Sequence, residues 1–161
     1  MSQMSDDLIV LTPDGHKKML EILEHLKGEH RDEIRERMSN AQKSNVLSED
    51  PELDEIKRDQ QMLESRISHL ETILKKSKVL TAKEISTDKV GIGSRVKVKN
   101  LKTKEAEEFT ILSSMEANPL ENKISDACPV GRALMKAKKG DIVYAETPKG
   151  RVKYLIADIK K

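Results

Sequence analysis

The sequence has no tryptophan, one phenylalanine and two tyrosines, so aromatic residues make up only 2% of its 161 positions. Side chains of that kind anchor most broad globular cores, and their scarcity argues against one here. A single cysteine, Cys128, excludes an internal disulfide and a cysteine-built zinc site. The four histidines (His16, His25, His30 and His69) lack the i, i+4 spacing around a glutamate that marks a helical zinc site, and read as solvated helix positions. No apolar run approaches membrane-spanning length and no signal-peptide pattern opens the chain, so the expectation is a cytoplasmic protein with no membrane partner. A net charge of +2 supplies no global basic field, which argues against sequence-specific DNA binding.

Charged residues are abundant, at 36%, and equal the apolar fraction. That balance suits long amphipathic helices, which bury only a narrow stripe. The charge is unevenly divided. Residues 1–80 carry 13 Lys/Arg against 17 Asp/Glu, a net of −4, whereas residues 81–161 carry 17 against 11, a net of +6. Two regions with different tasks are expected, bounded at 1–80 and 81–161.

The first region reads as a helical hairpin. Thr12 can cap the first free amides, Pro13 fits a first helical position, and Asp14 suits the positive helix end. Met19, Leu23, Leu26, Ile34, Met38 and Ala41 then recur at a helical period, interrupted by no proline and only by Gly28. A helix from 13 to 44 would be roughly 48 Å long. Pro51 opens a second helix with Glu52, Asp54 and Glu55 in its first turns, and Leu63, Ile67, Leu70 and Leu74 alternate by four and three, an a/d seam following Ile56. The short 45–50 link requires the two helices to pack antiparallel, and such a hairpin seals its own seam, so a monomer is expected. Five acids fall within seven residues at the hairpin tip: Glu49, Asp50, Glu52, Asp54 and Glu55. Like charges so close repel, and helix-start decoration accounts for only part of the cluster. Carboxylates on a rigid stalk could engage Mg²⁺, a hard ion that takes few protein ligands.

The second region reads as a small antiparallel β domain with one short helix, giving an α+β protein overall. Arg95–Lys99 alternates with period two, Glu108–Ile111 resembles a second strand, and Ile142, Tyr144, Val152, Tyr154 and Ile156 fall in two more flanking the turn 147–150. Residues 129–137 have helical character, and 78–92 reads as a linker. The lysines Lys136, Lys138 and Lys139 read as solvated surface, since no stacking aromatics accompany them.

Three collinear segments resemble motifs of the Gre transcript-cleavage factor family: Leu11-Thr12-Pro13-Asp14-Gly15, Leu47-Ser48-Glu49-Asp50-Pro51-Glu52, and the run from Ser125 to Met135 containing Cys128-Pro129-Val130-Gly131-Arg132-Ala133-Leu134. Gly140-Asp141 and Thr147-Pro148-Lys149-Gly150 follow at the family's spacing. The resemblance implies an FKBP-like second domain that binds the rim of the secondary channel of bacterial RNA polymerase. It also implies a coiled coil whose acidic tip helps hold a Mg²⁺ ion shared with the polymerase active site, so that the polymerase cleaves backtracked RNA. The protein would be an accessory factor and not itself an enzyme. By position, the resemblance makes Glu49 the metal-contacting carboxylate, with Asp50 beside it in the catalytic tip. Lys57 becomes a contact to the nascent RNA 3′ segment, and Cys128, Pro129 and Arg132 become polymerase contacts.

The chain departs from the family pattern at Val46, where the principal tip aspartate is expected, at Asn45 for glycine, at Asp50 for asparagine, and at Cys128 for serine. Valine cannot ligate Mg²⁺, and cysteine in place of serine weakens a helix cap by about 1 kcal/mol. Two readings within the resemblance therefore stay open: an elongation factor that stimulates cleavage, and a channel-binding regulator that does not. A third is a structural or chaperone-like coiled coil. Prolyl isomerisation finds little support, because Phe109, Tyr144 and Tyr154 are too few to line a proline pocket.

Overall fold

The computed structural model describes residues 8–44 and 50–161, which fall into two compact units. One is the hairpin, His16–Ser77. The other joins Lys78–Lys161 to the described residues up to Gly15.

In the hairpin, helix α1 (Pro13–His25) runs into a single π-helical turn, Leu26–His30, and then into α2 (Arg31–Ser44). The sequence reads as one continuous helix over this span, and the structure widens it at Gly28. Glycine is the residue least committed to a regular helix, so a turn with an extra residue is cheapest there. Helix α3 (Pro51–Lys76) is unbroken for 26 residues. Among the described residues, three ion pairs bridge the helices: Lys27 with Glu71, Arg31 with Glu64 at 2.7 Å and Arg37 with Asp59 at 2.9 Å. As the first number rises the second falls, which is the signature of antiparallel packing. Leu26, Ile34, Ala41, Ile56, Leu63 and Ile67 form the buried seam, with Leu23, Met38, Leu53 and Leu70 partly buried along it. Toward the end of α3 the buried position is Ile73, with Leu74 half-buried. Each buried aliphatic side chain contributes about 1.5–3 kcal/mol, so this stripe outweighs the exposed ion pairs in holding the hairpin closed.

The β unit contains a five-stranded sheet. Its members are β3 (Arg95–Asn100), β4 (Ala106–Leu112), β5 (Lys123–Ser125), β6 (Ile142–Thr147) and β7 (Gly150–Lys160), in the order β5-β4-β3-β7-β6. Two further three-residue strands, β1 (Ile9–Leu11) and β2 (Ser77–Val79), pair as a separate ribbon. The four strands visible in the sequence are all present and pair antiparallel among themselves. The fifth, β5, runs parallel to β4, pairing Thr110, Ile111 and Leu112 with Lys123, Ile124 and Ser125. A 3₁₀ turn at Pro119–Glu121, with Asn122 in a left-handed conformation (φ 55°), brings the chain back into that direction.

Strand alternation places the core. Val96 and Val98 are fully buried while Arg95, Lys97 and Lys99 point outward. Ile111, Leu134, Ala145, Ile156 and Ile159 complete the inner face, where Leu134 comes from helix α4 (Pro129–Leu134). Phe109 meets Tyr154 edge-to-face, centroids 6.2 Å apart. Burial, reinforced by nearby Glu107, pushes the Tyr154 phenol up from its ordinary value. Helix α4 stops earlier than the expected residue 137: Met135 already leaves helical geometry (φ −55°, ψ 135°), and Lys136 then adopts a left-handed conformation (φ 64°) that turns Ala137 into the core. The segment 78–92, which the sequence presents as a linker, is anchored in this unit. Val90 is buried, and Thr81 and Glu84 close a turn in which the Thr81 amide donates to the Glu84 carboxylate at 2.8 Å and the Glu84 amide donates to the Thr81 carbonyl at 3.0 Å. Lys78 beside it, with the Thr81 amide, pushes the Glu84 carboxyl down to about 2.

Glu116, which follows β4, holds the start of α1. Its Oε2 accepts from the Thr12 amide at 2.9 Å and its Oε1 accepts from the Thr12 hydroxyl, while Thr12 Oγ1 accepts from the Gly15 amide at 3.1 Å. Gly15 leaves the space this carboxylate occupies, since a Cβ there would lie 1.7 Å from Glu116 Oε1. Glu116→Ala is expected to cost about 1.5–3 kcal/mol, the worth of hydrogen bonds to a charged group. Urea denaturation of the full chain checks it, and Glu116→Gln, which keeps one acceptor, should recover part of the loss.

Candidate functional site

The sequence-derived site residues lie in two places. At the far end of the hairpin, Asp50 has extended backbone (φ −105°, ψ 120°) and its Oδ1 accepts from the Glu52 amide at 2.9 Å, capping α3. Pro51 occupies the first helical position, where its missing amide proton is no loss. Glu52 and Asp54 sit in the first turn, against the positive end of the helix. Residues 45–49 lie outside the described residues, so Glu49 and Val46 have no structural account here.

Lys57 is exposed and lines a shallow groove of about 400 Å³ along the hairpin, together with Arg31, Arg35, Gln42, Gln60 and Glu64. Arg31 donates to Glu64 through both Nε and Nη2, each at 2.7 Å, a fork that fixes both side chains. This bond holds the Glu64 carboxyl below and the Arg31 guanidinium above their ordinary values. Arg35 reaches Asp32 at only 3.4 Å. The structure thus gathers Arg31 and Arg35 around Lys57. Both cations lie one helix away from Lys57, so their proximity depended on the pairing register, which single-helix periodicity does not reveal.

In the β unit, Cys128, Pro129 and Arg132 sit together at the start of α4. Cys128 caps the helix despite being cysteine: its Sγ accepts from the Gly131 amide at 3.3 Å. Pro129 and Arg132 are exposed, Cys128 is half-buried, and the Arg132 amide donates to the Cys128 carbonyl at 2.8 Å. The preceding turn is held by Ser125, whose hydroxyl accepts from the Ala127 amide at 3.0 Å and whose carbonyl accepts from the Cys128 amide at 3.2 Å. Gly131 is the residue that sequence reasoning passed over. A Cβ there would lie 1.9 Å from the Ser125 carbonyl oxygen, so only glycine lets α4 rest against the end of β5.

Both regions match known protein families. Residues 9–79 fit the family described as transcription elongation factor, N-terminal, and residues 85–161 fit transcription elongation factor, GreA/GreB, C-terminal. The chain belongs to the GreA/GreB family of transcription elongation factors. Among GreA relatives, that of Thermoanaerobacter pseudethanolicus is 44% identical over 153 residues, covering 95% of this chain and 98% of that protein. The GreA of Alkaliphilus oremlandii is 45% identical over 158 residues, covering 98% and 99%. Among solved structures, GreA factor homolog 1 of Thermus thermophilus is 30% identical, covers 95% of this chain and 99% of that one, and superposes with a TM-score of 0.43. Membership of the GreA/GreB family bears out the α+β reading of a helical hairpin followed by a β domain. No helix among the described residues is long and apolar enough to cross a membrane.

Proposed function

We propose that the chain is an accessory factor of bacterial RNA polymerase, whose hairpin enters the secondary channel and assists the polymerase's own cleavage of backtracked RNA. Family membership over both regions, 9–79 and 85–161, carries this reading. The geometry supports it. An unbroken 26-residue helix is a stalk of roughly 39 Å with an acidic start, and the exposed Pro129 and Arg132 offer a rim contact on a rigid helix turn.

Carboxylate oxygens suit Mg²⁺, which takes one or two protein carboxylates and leaves the rest of its shell to water and phosphate. Among the described residues no three Asp, Glu, His or Cys side chains converge as a metal site. In this reading the ion is shared with the polymerase, with Glu49 as this chain's ligand and Asp50 beside it at the head of α3. When bound, it supplies charge stabilisation for phosphodiester hydrolysis. The chain's own residues position: Asp50 fixes the first turn of α3, and Lys57 presents a cation to the RNA 3′ segment. In this reading the protein acts as a cytoplasmic monomer and the reaction belongs to the polymerase.

The residue at position 46 supports a second reading, a channel-binding regulator without cleavage, because valine offers no ligand where the family pattern has an aspartate. The two separate in one assay: RNA 3′-end cleavage in a purified backtracked elongation complex with Mg²⁺. A cleavage factor should stimulate strongly and lose at least about tenfold in Glu49→Ala, as expected when a metal contact is removed. A non-cleaving regulator should give no stimulation, compete for the channel, and gain cleavage on Val46→Asp. Failure to co-purify with core polymerase would sink both.

A further inference from the structure

The outer face of the five-stranded sheet has no part in the reading above. It carries Arg95, Lys97 and Lys99 on β3, with Lys160 opposite Arg95, Lys153 opposite Tyr144, and Arg151 two residues before Lys153; its acids are Glu108 and Asp158, both opposite Lys97, and Glu146, opposite Arg151. Same-face residues on one strand stand roughly 7 Å apart and neighbouring strands about 4.8 Å, so these cations, which outnumber the acids, spread a net positive charge across the face, with the carboxylates gathered around Lys97 and beside Arg151. Among the described residues, the ion pairs of this unit engage Lys78, Lys123 and Lys139, the last reaching Asp158 on this face at 3.7 Å, and not the six cations themselves. Cations set directly opposite one another, as Arg95 and Lys160 are, destabilise a sheet. Lysines often protect an open edge strand, but β3 is the central strand, so edge protection does not account for its two lysines and one arginine.

At the β6 edge the same face becomes aromatic and apolar. Tyr144 is 48% exposed and Ile142 51% exposed. The Arg151 guanidinium lies over the Tyr144 ring, 4.6 Å from its centroid, and Lys153 Nζ lies 5.4 Å away. With Leu101 and Lys102 these residues line a hollow of about 340 Å³: three cations, one aromatic ring, one aliphatic wall and no acid.

We infer that this sheet face binds single-stranded nucleic acid, a base resting on the Tyr144–Arg151 platform and phosphates tracking across the β3 and β7 cations. An acidic protein surface would satisfy the charges but leave the ring, the guanidinium plane and Leu101 without a complement. A nucleotide uses all three, since bases stack on aromatic rings and on arginine planes. A broad sheet face does not fit a duplex major groove, which admits a helix or a two-stranded ribbon. An unpaired strand exposes its bases to such a face.

The test is fluorescence anisotropy of the full-length chain with a labelled 12-nucleotide oligouridylate and its DNA counterpart across a salt series. Tyr144→Ala should weaken binding at least about fivefold. The Arg151→Gln/Lys153→Gln pair should flatten the log–log salt slope by about 1.4, the loss of two phosphate contacts on a single strand. All three side chains are exposed, and unchanged melting would confirm intact folding. Equal binding of RNA and DNA, or preference for either, supports the inference and identifies the strand bound. It is overturned if neither oligonucleotide binds, if binding is undiminished in both variants (as it would be were the hairpin groove responsible), or if polyglutamate competes as well as unlabelled oligonucleotide.

Discussion

Gly131→Ala should lower the stability of the β unit by about 3 kcal/mol or more, at the upper end of overpacking costs. The reason is local and geometric. The added methyl would stand 1.9 Å from the Ser125 carbonyl oxygen and 3.2 Å from the Asp126 Cα, both backbone atoms that no side-chain rotamer can move aside. Either α4 lifts from β5 or the 125–128 turn is displaced. Both remove hydrogen bonds, because the Gly131 amide donates to Cys128 Sγ and the Ser125 carbonyl accepts from the Cys128 amide. Leu134, fully buried at the end of the same helix, would shift with it. For a unit of this size, 1 kcal/mol corresponds to about 4–8 °C in Tm, so differential scanning calorimetry should show a drop of more than about 10 °C. Gly28→Ala is the matched control. Nothing lies within 4 Å of a Cβ at that position, and glycine is a poor helix residue, so alanine there should be neutral or stabilise by up to about 1 kcal/mol. Since Cys128, Pro129 and Arg132 ride on the displaced turn, Gly131→Ala should also weaken polymerase binding, measurable by co-purification with the core enzyme.

This contrast shows what the sequence could and could not disclose. The helix starts at Pro13 and Pro51 are local in cause, being set by a cap, a proline and acids within four residues, and both appear where expected. The seam residues Leu26, Ile34, Ala41, Leu63 and Ile67 follow from periodicity, and the period-two pattern at 95–99 gives β3 directly. The three-residue strands β1, β2 and β5 are too short to display a period. Glu116 reads as one acid among 28, and its role exists only because a residue 104 positions away in sequence lies beside it. Gly131 and Gly28 look alike on paper; one touches backbone and the other touches nothing. Of the site, the Cys128 cap was legible as a cap position, because the residue three ahead of a helix amide can be read from spacing alone. The grouping of Arg31 and Arg35 with Lys57 was not, since it depends on register between two helices.

Ile56→Ala carries the second large expected effect, and it separates the stalk from the docking surface. Ile56 lies in the second turn of α3, is 1% exposed, and belongs to the same buried cluster as Ala41 and Leu53. Removing its side chain should cost about 2–5 kcal/mol, whereas Ile56→Val should cost only about 0.5–1.5. Among the described residues, few other buried side chains are available at this end: Ala41 contributes little area, Leu53 is only partly buried, and the bidentate Arg31–Glu64 pair lies two turns further along. The loss should therefore appear as local opening rather than global unfolding. Amide hydrogen exchange should accelerate across 51–60 and remain slow across 63–74, where Leu63, Ile67 and Ile73 still pack. A frayed first turn no longer holds the Asp50 cap or the acids beside it in place. Polymerase binding through the β unit should then survive while any stimulation of RNA cleavage falls. If binding and cleavage fell together, the hairpin end would be part of the docking surface, and the division of labour between stalk and β unit would have to be abandoned.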